Sequence, residues 1–156
     1  MKSFASKRQI IESIDHSFRF AKAPTPNEIV DDEPCDLERQ EIRESFSNRQ
    51  WNKLSAPMLL QHTDSLLFFT PKAWVYYVPA YMKVMLIRFR EAELVVDMFV
   101  SSLARHGERY DPHLTPEQRK TIVSVLRWLS RRLDRDYWKR RDIDEVIGRL
   151  GDDAVL

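Results

Sequence analysis

Four residues able to hold a metal fall within one short stretch. His106, Glu108, Asp111 and His113 offer two imidazoles and two carboxylates, a donor set that zinc or another divalent ion accepts. Their spacing follows no known ligand template, and polar loops collect such residues without a metal. They stand as weak metal candidates, and no cofactor is assigned. His62-x-Asp64 is thinner still, and His16 sits alone on the polar side of its helix. No serine, nor the single cysteine Cys35, has a base at motif spacing, so nothing marks a nucleophilic hydrolase. Only 3 of 156 residues are glycine, all in the last third. A phosphate-binding loop and a dinucleotide fingerprint both need several glycines at fixed spacing, so both are excluded.

Charge carries more information than any of these groups. The net charge is +1, which demands neither a nucleic acid nor a membrane. Locally the balance breaks. Residues 28–44 hold Glu28, Asp31, Asp32, Glu33, Asp36, Glu38, Glu41 and Glu44 against Arg39 and Arg43. Residues 119–141 reverse the sign, with nine bases against Asp134 and Asp136. At about 100° per residue, Lys120, Arg127, Arg131 and Arg135 fall opposite the apolar stripe of that segment, with Trp138 among them. One reading makes these the solvated faces of amphipathic elements, neutralising each other across the fold. The other makes them a partner surface, because tryptophan beside arginine is the composition of an interface hot spot. The residues that would carry it are Asp31, Asp32 and Glu33 on the acidic side, and Arg127, Arg131, Arg135 and Trp138 on the basic side.

The elements that position these groups read as helices throughout. Ile10, Ile11, Ile14 and Phe18 predict a helix over about 5–21. Residues 24–35 form an acidic, proline-containing connection, and Asp36 caps a second helix expected over 37–53. Ser55-Ala56-Pro57 opens a short one. Thr70-Pro71 starts the central helix, where Trp74, Val75, Tyr77, Val78, Tyr81, Met82 and Met85 give an apolar arc wide enough for burial on most sides. The aromatics Trp74, Tyr76, Tyr77 and Tyr81 serve either the core or a ligand pocket, and we read them as core. Pro79 predicts a kink or break there. Leu94, Val95, Met98, Phe99 and Leu103 predict a helix closed by a Gly107 C-cap. Thr115-Pro116-Glu117-Gln118 is a capping box, and the stripe Ile122, Leu126, Leu129, Leu133 and Tyr137 extends its helix to at least 138. A last helix over 142–150 ends at Gly151. No segment alternates with period two, and no repeat or low-complexity tract is present. The expectation is one all-α domain over 1–156, a bundle of at least five helices.

Read together, several of these features resemble a known family. They are Glu41-Ile42 with Phe46, Trp51 and Leu54; Thr70-Pro71-x-Ala73-Trp74-x-Tyr76-Tyr77-x-Pro79-Ala80-Tyr81; and Leu114-Thr115-Pro116. The pattern is similar to that of small bacterial proteins classed as a domain of unknown function, over about Ile11 to Leu133. Thr70 stands where serine is usual and Trp74 where phenylalanine is usual, and each swap keeps the role. The resemblance implies an all-helical bacterial cytosolic protein and brings no catalytic residue with it.

The single cysteine, the lack of an apolar leader in Met1 to Ile11 and uncharged runs of only about ten residues all fit a soluble cytoplasmic protein. The function expected is protein binding without catalysis, by analogy an immunity protein that neutralises a toxin domain. Its alternatives are nucleic-acid binding by the 119–141 helix, and a small enzyme or metal protein built on the 106–113 loop.

Overall fold

The computed structural model describes residues 3–32 and 36–153. Among the described residues it contains eight α-helices and no β-sheet. They are α1 (Lys7–Ser17), α2 (Leu37–Phe46), α3 (Ala56–Gln61), α4 (Ser65–Phe68), α5 (Pro71–Ile87), α6 (Glu93–Tyr110), α7 (Pro116–Arg132) and α8 (Arg140–Asp153). Short 3-10 turns sit at 26–28, 51–53 and 111–113.

Helix α5 is the axis, packing against α1, α3 and α6, while α7 packs against α1 and α8, and α8 against α6. Trp74, Val78, Tyr81, Met82, Met85 and Leu86 of α5 are fully buried. Phe18, Phe46, Leu126 and Leu129, read from the sequence as core, are buried too. The aromatics of α5 belong to this core. The Tyr77 hydroxyl donates to the Phe46 carbonyl at 2.7 Å, and the Tyr81 hydroxyl to the His62 carbonyl at 2.5 Å. The Trp74 indole donates to Ser102 Oγ at 3.0 Å and stacks on Tyr110 at 4.5 Å. The polar tips of Trp74, Tyr77 and Tyr81 thus each find a partner, which is what makes such side chains tolerable inside.

The caps form as their residues require. Thr70 Oγ1 accepts from the Ala73 amide, and Thr115 and Gln118 close the reciprocal capping box at 3.1 and 3.0 Å. Ser6 and Gln9 make a second box at the start of α1. The stretch after α1 is tied down: Val30 bridges to Phe69, the Thr70 amide donates to the Ile29 carbonyl at 3.0 Å, and Lys72 pairs with Glu28.

Several boundaries depart from expectation. Helix α5 is not broken at Pro79 but continues through it, since a helix so largely buried is held by packing despite the missing amide. Helix α2 stops at Phe46, where Asn48 takes a left-handed φ of 60°, a conformation asparagine tolerates. Gly107 does not cap α6, which continues to Tyr110. Helix α7 ends at Arg132, with Leu133 extended, so the basic segment is not one helix to 138. Gly151 lies within α8.

Candidate functional site

The end of α7 is set by an arginine from beyond it. Arg140 Nη1 donates to the Ser130 carbonyl and hydroxyl at 3.1 and 3.0 Å, and Nη2 to the Leu133 and Asp134 carbonyls, both at 2.9 Å. Carbonyls at a helix C-terminus lack intrahelical partners, and a guanidinium fork satisfies several at once. The chain then turns through 133–139 instead of extending the helix.

Within that turn three consecutive residues alternate in and out. The Tyr137 hydroxyl donates to the Asp97 carboxylate on α6. The Lys139 ammonium, buried, donates to the Asp97 carbonyl at 3.1 Å and to Ser101 Oγ. Burial pushes the Tyr137 hydroxyl up and the Lys139 ammonium down from their ordinary values, with the Asp97 charge drawing the latter back. Between these anchors the Trp138 indole stands 71% exposed, one face 4.2 Å from the Lys139 ammonium.

Trp138 lines a groove of about 650 Å³. Phe89, Arg90, Arg132 and Arg135 line it too, as do the acids Glu93, Asp134 and Asp136. Phe89 packs edge-on against Trp128 at 5.6 Å, and Trp128 carries the Arg132 guanidinium at 4.6 Å and the Lys7 ammonium at 5.9 Å. Beside them Arg131 lies 4.2 Å from the Phe4 ring. Cation–ring pairs thus recur around the end of α7.

Of the residues singled out from sequence, Arg135 and Trp138 therefore share one groove, and both sit in the turn after α7 instead of on a helix. Arg127 and Arg131 are exposed one turn apart on α7. The acidic candidates lie elsewhere. Asp31 is exposed, Asp32 pairs with Arg43 at 2.6 Å, and Glu33 lies outside the described residues, as does Cys35. Three of the eight acids in the stretch, Glu28, Asp32 and Asp36, pair locally with Lys72, Arg43 and Arg39, none of which belongs to the basic segment.

The weak metal candidates are split between elements. His106 and Glu108 lie on α6, and Asp111 and His113 on the turn that follows. Asp111 instead takes Arg149 Nε at 2.8 Å. Among the described residues no group of three or more His, Cys, Asp or Glu is placed to hold a metal ion. Sequence reasoning missed Lys7, Phe89 and Arg90, which reach the face only through folding. It also missed the positioning roles of Asp97, Lys139 and Arg140.

Fold and site together define an all-α domain with an exposed, arginine- and aromatic-rich face. The chain belongs to a family of unknown function, DUF6714, whose model matches residues 25–146. No curated protein and no solved structure matches it. Among the described residues no helix is long and apolar enough to cross a membrane.

Proposed function

We propose that the chain is a non-enzymatic protein-binding protein that docks its partner on the face around Trp138. The observation that carries this reading is the way the indole is held. Its two sequence neighbours are anchored inward on α6, while the ring itself is 71% exposed. A large apolar side chain fixed in water contributes little to folding, yet it loses little entropy when a partner covers it. Tryptophan and arginine are also the side chains in which interface energy concentrates.

On this reading the protein acts in the bacterial cytoplasm. An immunity protein that holds a cognate toxin by direct contact is the form of the reading closest to its size and helical build. The partner then meets the basic, aromatic face, because there an exposed tryptophan shares a groove with arginines.

The test is affinity capture from the native host with the intact chain and with Trp138→Ala, read by mass spectrometry. A protein enriched by the first and lost with the second, at unchanged melting temperature, supports the reading. Identical captured sets would sink it.

A further inference from the structure

We infer that the partner meets this face with a carboxylate-rich protein segment, an inference that rests on the docking reading above. Lys7, Arg127, Arg131, Arg132 and Arg135 make no ion pair among the described residues. Elsewhere Arg43, Lys72, Lys83, Arg88, Arg141 and Arg149 each hold an acid. Five cations without an acid partner among the described residues thus lie on α7, in the turn after it and at the start of α1, which packs on α7.

Two of these arginines are also prepared for a particular shape of ligand. The Arg131 guanidinium lies over Phe4 and that of Arg132 over Trp128. A ring under a guanidinium occupies its face and leaves its N–H edge open. That edge matches the two oxygens of a carboxylate, in a paired geometry that lysine cannot reproduce. Stacking orders the side chain beforehand, so less rotamer entropy is lost on binding.

A phosphate backbone offers similar oxygens but fits the rest of the face poorly. Glu93, Asp134 and Asp136 line the same groove as Arg90, Arg132 and Arg135. A duplex carries charge at every step and would bring phosphates against those acids. A protein segment sets its carboxylates on the arginines, its apolar anchor on Trp138, and neutral residues between.

The probe is a short fluorescently labelled peptide of glutamates separated by serines and carrying one leucine, titrated into the full chain and followed by anisotropy. Binding is expected at low salt, weakening at least ~10-fold between about 50 and about 200 mM salt, since surface charge pairs are screened over that range. Arg131→Glu with Arg132→Glu should abolish it at unchanged melting temperature. Arg131→Lys with Arg132→Lys should weaken it although the charge is kept. No binding at low salt, indifference to the charge reversal, or tighter binding of a DNA duplex than of the peptide would each overturn the inference. A partner captured in a Trp138-dependent manner but insensitive to the Arg131 and Arg132 reversals would also overturn it, and would leave the docking reading standing.

Discussion

The guanidinium of Arg149 fills the space that a side chain at Gly107 would need. A Cβ at residue 107 would lie 2.0 Å from Arg149 Nη2 and 2.7 Å from Cζ. Arg149 is not free to leave, because it donates to the Asp111 carboxylate and, at 3.1 Å, to the Leu103 carbonyl. The glycine is there for a close approach between α6 and α8, not for a turn.

This relationship predicts a change of sign. Gly107→Ala gains about 1 kcal/mol of helix propensity, but it displaces an arginine whose charged hydrogen bonds are each worth about 1.5–3 kcal/mol. The variant should be net destabilised in urea unfolding. In an Arg149→Ala background the same substitution should become stabilising by about 0.5–1 kcal/mol. A stabilising Gly107→Ala in the wild-type chain would show that Arg149 moves aside without cost.

The core makes a simpler demand. Trp74 is fully buried, stacked on Tyr110 and bonded to Ser102. Trp74→Ala should cost about 3–5 kcal/mol, and Leu126→Ala about 2–5. Losses under about 1 kcal/mol at both would mean that the interior is not packed as described.

Arg140 should control the turn that presents Trp138. Arg140→Ala removes every contact of its guanidinium with Ser130, Leu133 and Asp134. Amide exchange over 133–139 should accelerate, and stability should fall by about 1.5–3 kcal/mol. Arg140→Lys should recover only part, since an ammonium cannot span both ends of the fork. Unchanged exchange in Arg140→Ala would mean that Tyr137 and Lys139 suffice to hold the turn.

Acid stability should carry the mark of Glu28. Its carboxyl is lowered from 4.5 to about 2, first by the Lys72 ammonium and next by the Thr25 amide. A folded value below the ordinary one means that the stabilisation is present above about pH 4.5 and is lost as pH falls toward about 2. Glu28→Gln should be less stable than the wild type at neutral pH and should match it at the acid end of that window. Parallel melting curves across the window would remove the Lys72–Glu28 pair from the account.

Local signals were legible in the sequence wherever one turn of chain decides the outcome. Thr70 and Thr115 cap their helices because cap and amide lie three residues apart. The wide apolar arc of α5 became its burial. The failures share a cause in tertiary contact. Leu133 and Tyr137 continue the stripe of α7 and are half-buried, so periodicity could not reveal that Arg140 draws the chain out of the helix. Gly107 carried the local signature of a C-cap and was decided by Arg149. Arg135 and Trp138 could be singled out by residue type, whereas Phe89 and Arg90, in the turn between α5 and α6, and Lys7, on the helix α1 that packs on α7, join them only through the fold.

The buried tyrosines of α5 have a consequence for how this chain can drift over evolutionary time. Tyr77 and Tyr81 take hold of main-chain carbonyls, those of Phe46 and His62. Every amino acid supplies the same carbonyl, so the hydroxyl of Tyr81 places no demand on which residue stands at 62. What it cannot tolerate is a change of spacing, since one residue inserted or deleted between 46 and 62 moves a carbonyl out of reach. Substitutions there should be tolerated far more readily than insertions, and the length of that connection is the inherited trait.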